Sequence, residues 1–175
     1  AVRACGAEWT ILRVGFITQN FSEAFLVQQV RAGVVALPVG DVTEPFTDAN
    51  DIADIAVLAL TENGHAGQTY ELTGPRLLTF AQAVGEIGSA TRRETRYLPL
   101  TREQFVWSLT ERGVPVDYTT QLADLMAEVF DGRRESTTDI VERVLGCPAR
   151  DFSDYAQETA LSGVWDAASE PPVRG

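Results

Sequence analysis

"EWTILRVGFITQNF", Glu8 to Phe21, is the stretch on which the fold turns. Its core, "WTILRVGFI", is apolar on both faces apart from Thr10 and Arg13, which suits a parallel strand covered by helices on either side. Such a strand needs neighbours. The residues before it, "AVRACG", supply at most the end of a helix, with Gly6 where a left-handed stop is expected. Whatever precedes that helix in a complete domain is expected to be absent from the chain. A strand lacking such neighbours should leave a raw sheet edge and an apolar face around Trp9, Ile11 and Leu12, a surface expected to self-associate.

Downstream, the periodicity alternates. "SEAFLVQQVRAG", Ser22 to Gly33, reads as a helix with Phe25, Val30 and either Leu26 or Val27 on one face and Gly33 as its stop, and a short strand follows near "VVALPVGD". "FTDANDIADIAVLALTENG" carries Ile52, Ile55, Ala56 and Ala59 at helical spacing behind Asp48, Asn50 and Asp51. "GQTYELTGP" is a strand closed by a Gly-Pro turn, and Thr79 with Gln82 forms a capping-box pattern for the helix ending on Arg92 and Arg93. After "YLPL", a last strand, come four short helices punctuated by Gly or Pro. The first is opened by Thr101 and Gln104, and the second carries Leu122, Leu125, Met126 and Val129 as an apolar stripe. Phe105, Leu109, Leu122, Leu125, Val129 and Val141 are the expected helical core. This divides the chain into 1–100, the later part of a strand-and-helix domain, 101–165, a helical subdomain, and 166–175, a tail expected to be disordered.

Composition excludes several classes of chemistry. The 175 residues carry 25 acidic and 14 basic side chains, a net charge of -11, which argues against a nucleic-acid surface. Every basic residue is Arg, so no lysine can act as base, Schiff-base former or phosphate anchor. Cys5, Cys147 and the single His65 provide no metal-site spacing. With the cysteines so far apart, the reading is a reducing, cytoplasmic setting. No apolar run approaches the roughly 18 residues of a membrane span.

The search for a site starts with phosphates. No glycines fall at dinucleotide-fingerprint spacing, and no Gly-x-Ser-x-Gly elbow or acid/base pair stands out. "GHAG" reads as a turn with His65 solvated. Asp48, Asp51 and Asp54 could line up for a metal, but such acids more often cap a helix, so no metal site is expected. The end of the opening strand differs in kind, since in open α/β sheets ligands bind beyond the carboxyl ends of strands. That end delivers Gly15, Phe16, Thr18, Gln19 and Asn20 in succession. Asn20 offers a donor and an acceptor to a carboxamide or carbonyl, or caps a helix beginning near Ser22; spacing alone leaves both open.

Three blocks, "WTILR....QNF", "DANDIADIAVLALTENGHAGQTYELTGPRLLTFAQAV" and "DGRRESTTDIVERVLGCPARDFSDYA", together resemble the C-terminal half of the NmrA-like branch of atypical short-chain dehydrogenases/reductases. The likeness runs from about Ala4 to Trp165. It implies an α/β fold, a partial Rossmann-like parallel sheet with a C-terminal helical substrate subdomain, the glycine loop and first strands lying upstream. It implies an NAD(P)H-dependent oxidoreductase, possible quinone-reductase chemistry included, acting on a small molecule. An NAD(P)-sensing regulator without turnover and a cofactor-free remnant acting as lyase, cyclase or scaffold are the alternatives. By the same resemblance Ile17, Thr18, Gln19 and Asn20 lie against the nicotinamide half of NAD(P), and Phe16 and Phe21 against substrate; catalytic residues stay unassigned. Val14 and Gly15 stand where relatives often have Pro, and Gln19 where some have Glu. With the glycine loop upstream, the chain by itself is expected to bind NAD(P) weakly or not at all.

Overall fold

The computed structural model describes residue 3 and residues 6–166. The expected disordered tail falls outside them, apart from Asp166, as does Cys5. Strand β1 (Ile11–Val14) pairs in parallel with β4 (Thr69–Leu72), Arg13 opposite Glu71. Strand β2 (Val34–Leu37) pairs in parallel with β6 (Arg96–Pro99), and β3 (Thr43–Glu44) runs antiparallel to β5 (Leu78–Thr79). A parallel bridge from Ile17 to Thr47 continues the line of β1 toward β3. The architecture is α/β, with parallel pairing across helical crossovers as the double-sided apolarity of the opening strand requires. Among the described residues β1 pairs with β4 alone, and Trp9, at its entrance, lies 5.1 Å beneath the guanidinium of Arg3.

The helices start where their caps direct. Helix α2 (Ala49–Thr61) has Asp48 as N-cap, its carboxylate accepting from the Asn50 amide at 2.7 Å. Helices α3 (Phe80–Thr91) and α4 (Arg102–Thr110) both begin with complete capping boxes, Thr79 with Gln82 and Thr101 with Gln104. Helices α5 (Val116–Val129), α6 (Ile140–Leu145) and α7 (Phe152–Leu161) complete the set.

Two expectations are corrected. The helix expected from Ser22 to Gly33 is reduced to α1 (Val27–Arg31), preceded by a 3₁₀ turn, Thr18–Phe21. A helix beginning at Ser22 would direct the Phe21 carbonyl to the Phe25 amide, but the buried Trp165 indole N–H donates to that carbonyl at 2.8 Å. Tyr155 donates to the Ser22 hydroxyl at 2.8 Å, fixing the next residue as well. Phe25 is consequently exposed rather than aligned with the buried Val30. In α5 the buried face is Thr119, Ala123, Met126 and then Phe130, leaving Leu125 53% exposed. Thr119 tolerates burial because its hydroxyl donates to the Val116 carbonyl at 2.9 Å. Of the other expected core residues, Phe105 is buried, while Leu109, Leu122 and Val129 pack half-buried against the main core. Val141 is buried in a separate small cluster with Ile55 and Leu72, where α6 covers α2 and β4.

The main core is aromatic. Phe80 lies 5.1 Å from Phe16, 5.2 Å from Phe46 and 5.2 Å from Phe130, all edge to face, and stacks on Tyr97 at 5.9 Å. Phe21 and Phe46 extend the group to Phe152, and Tyr155 carries it to Trp165. One cluster thus draws on the strand-and-helix part and on the helical end of the chain.

The turn after β4 has no tolerance for a side chain. A Cβ on Gly74 would meet the Phe46 carbonyl oxygen at 2.0 Å, while its own amide donates to the Pro45 carbonyl at 3.1 Å. Gly74→Ala is therefore expected to cost about 3 kcal/mol of unfolding free energy, the upper range for overpacking. In Gly85→Ala, where a Cβ meets nothing within 4 Å in the middle of α3, stability is expected to rise by up to about 1 kcal/mol. Chemical denaturation of the two variants checks both signs.

Candidate functional site

Beyond the carboxyl ends of β1 and β4 the backbone opens into a cavity of about 430 Å³. Arg13, Gly15, Glu71 and Thr73 line it from the strands, and Arg133 and Arg134 from the segment following α5. That segment is fixed at both ends. Phe130 inserts into the aromatic core, and the Thr138 amide donates to the Thr73 hydroxyl at 2.9 Å while its own hydroxyl donates to the Glu71 carbonyl at 2.6 Å. Glu71 is the one carboxylate facing three guanidinium groups in this lining. Arg133 is committed to Asp131, whereas Arg13 and Arg134 form no salt bridge among the described residues.

Next to this cavity, on β3, Glu44 is 1% exposed. Its Oε2 has no hydrogen-bond partner, and it lies where a Cβ on Gly15 would come within 3.3 Å. Burial pushes the Glu44 carboxyl up to about 7, against the attraction of Arg134 and the Phe16 backbone amide, with Glu135 adding repulsion. The group is poised between its charged and neutral forms near neutral pH. Sequence reading did not single it out. An acid in "DVTEPF", three residues after Asp41, looks like part of a polar loop until β3 is seen to bury it.

The segment 16–21 turns away from this cavity. Phe16 and Phe21 are both in the aromatic core, Phe21 fully enclosed. Thr18 is buried and donates to the Gln19 side-chain oxygen at 2.7 Å, and the same oxygen accepts from the Ala49 amide at 2.9 Å at the start of α2. These two residues anchor the segment to α2. Ile17 and Asn20 remain partly accessible, and the Asn20 side chain has no hydrogen bond among the described residues. Its place inside the 3₁₀ turn means that it does not cap a helix. Gln19 also lines a second cavity, of about 270 Å³, with Ser22, Asp48, Asn50 and Tyr155. Burial raises the Tyr155 phenol well above its ordinary value, so it stays protonated there.

The remaining polar motifs have structural roles. Asp48 caps α2, while Asp51, almost fully buried, and Asp54 are both bound by Arg150, the latter at 2.9 Å. Among the described residues no group of His, Cys, Asp and Glu could hold a metal ion. His65, expected to be solvated, instead shares a 2.8 Å hydrogen bond with the Tyr70 hydroxyl, and its carbonyl accepts from Thr10. No helix among the described residues is long and apolar enough to cross a membrane.

No family model matches the sequence. The chain is 34% identical over 162 residues to the NAD(P)H azoreductase of Xenophilus azovorans, covering 92% of the chain and 56% of that protein. It is 32% identical over 150 residues to the Bacillus subtilis oxidoreductase YesF, covering 85% and 52% respectively. Among solved structures, the NADPH complex of the quinone oxidoreductase QOR2 from Escherichia coli superposes with a TM-score of 0.75 at 22% identity, covering 90% of this chain and 55% of that one. The chain thus spans about half the length of the curated relatives it matches.

Glu44 yields a sign-determined pH test. Its folded value lies above its unfolded one, so between about pH 5 and pH 7 the unfolded chain releases a proton that the folded chain retains, and stability falls as pH rises. The loss is expected to reach about 3 kcal/mol. Glu44→Gln, neutral at every pH, should flatten that slope. Urea unfolding at intervals across this range checks it.

Proposed function

Because the chain belongs to the NmrA-like branch of the atypical short-chain dehydrogenases/reductases, we propose that it is the acceptor-side part of an NAD(P)H-dependent oxidoreductase that reduces quinone- or azo-type small molecules. The alignment to the azoreductase over 92% of the chain carries this reading. The cavity beyond β1 and β4 supports it, because it occupies the position where open α/β sheets receive ligands.

The residues present suit one end of the cofactor. Gly33, Gly113, Gly146 and Gly163, at positive φ, follow helices instead of opening them, so no described glycine turn cradles a diphosphate. The nicotinamide end finds a better match at Gly15 to Asn20. There Asn20 would present a donor and an acceptor, Ile17 an apolar wall, and Thr18 and Gln19 would hold the segment in place through α2. Bound NAD(P)H supplies the hydride. Phe16 and Phe21 would shape the floor of the site from the core, not by direct contact with substrate.

Two measurements test the reading. The complete polypeptide should oxidise NADPH or NADH in the presence of a quinone and azo-dye panel, and Asn20→Ala should raise KM for the nicotinamide cofactor about tenfold. Cofactor binding without oxidation of any acceptor would favour a sensor instead. For the 175 residues alone, calorimetric titration with NADP and NAD is expected to show no saturation in the low micromolar range.

A further inference from the structure

We propose that the cavity beyond β1 and β4 is an oxyanion subsite, in which Arg134 and Arg13 grip a sulfonate, carboxylate or phosphate group carried by the acceptor and the adjacent Glu44 regulates that grip. The inference rests on the oxidoreductase reading for the word acceptor, but its geometry is independent of it.

Three observations combine. In a chain of net charge -11, three arginines line a single cavity against one carboxylate, Glu71. Arg133 pairs with Asp131, and Arg13 and Arg134, one from β1 and the other from the segment after α5, line the same cavity of about 430 Å³ without a salt bridge among the described residues. Beside them lies a buried carboxyl oxygen with no partner, that of Glu44. Two guanidinium groups lining a concavity offer bidentate donors to an oxyanion.

Glu44 sets the pH response. The charges acting near it are Arg134 and Glu135 from the segment after α5; Arg13 and Glu71 stand on the neighbouring strands, Arg133 is also in the cavity lining, and β5 opposes it with the apolar Leu78. Protonated, Glu44 leaves Arg134 free for the ligand. Ionised, it competes for Arg134 and repels the bound anion, so oxyanion affinity declines as pH rises through about 7.

The test compares a quinone sulfonate with its uncharged hydroxymethyl counterpart, titrated by calorimetry into the 175-residue chain, with NADP as a third titrant. The expected ratio of affinities favours the sulfonate and falls about tenfold from pH 6 to pH 8. Arg134→Gln and Arg13→Gln should each reduce the ratio about tenfold at pH 6, and Glu44→Gln should abolish its pH dependence, with circular dichroism verifying that each variant is folded. A ratio near one at pH 6 overturns the proposal. So does a loss in Arg134→Gln that affects NADP but not the sulfonate, because the arginines would then serve the cofactor's phosphates. If Glu44→Gln is unfolded, Arg134→Gln decides the matter: the pH slope must shrink once the guanidinium for which ionised Glu44 competes is gone, and an undiminished slope overturns the regulatory role of Glu44. Sulfonate binding by the chain, combined with no NAD(P)H oxidation by the complete polypeptide, would sink the oxidoreductase reading and leave the subsite standing.

Discussion

The aromatic packing around Phe80 is the constraint on which the remaining structure depends. Its edge-to-face contacts join Phe16 from the end of β1, Phe46 from the approach to α2 and Phe130 from the end of α5, elements far apart in sequence. Each such pair contributes about 0.5–1.5 kcal/mol beyond the area it buries, and the rings accept few relative orientations. A displaced Phe130 would release the segment carrying Arg133 and Arg134. A displaced Phe16 would alter the course of the backbone leaving Gly15. The cavity lining from β1 and the lining from the segment after α5 are thus aligned by one shared core.

Around that core every salt bridge among the described residues is made by arginine. Arg76 forms paired hydrogen bonds to Asp151 at 2.7 Å and to Glu86 at 2.8 and 2.9 Å, connecting the turn after β4 to α3 and to the cap of α7. These bonds hold the Asp151 carboxyl well below the usual carboxylate range. Arg93 donates to the carbonyls of Arg31 and Trp165, and Arg150 connects the loop before α7 to α2. A planar fork with five donors can join two partners at once, which an ammonium group does less specifically.

What was legible in the sequence was what neighbouring residues decide. Thr79 with Gln82, Thr101 with Gln104 and Asp48 before α2 mark helix starts through hydrogen bonds two or three residues long, and the largely apolar run around β1, interrupted by Arg13, signals a parallel strand. What could not be read depends on distant partners. The helix expected at Ser22 lost its first turn to Trp165, 144 residues from Phe21. The buried face of α5 differs from its most apolar stripe because Thr119 found an internal acceptor and Phe130 a place in the core. For the site, the strand end was legible as a place where ligands gather. Arg134, Glu44 and Arg150 were not, since only the fold brings each beside the groups that give it meaning.

The seat of Trp165 makes it an optical witness to the segment preceding α1. Its ring is shielded from water by Tyr155, and its N–H is bonded to the carbonyl of Phe21. Trp107 stands in solvent and Trp9 lies partly covered at the edge of β1, so the three indoles occupy environments of different polarity. Trp165 therefore defines the short-wavelength edge of the intrinsic emission, and any rearrangement that breaks its bond to Phe21 changes that edge without requiring an added label.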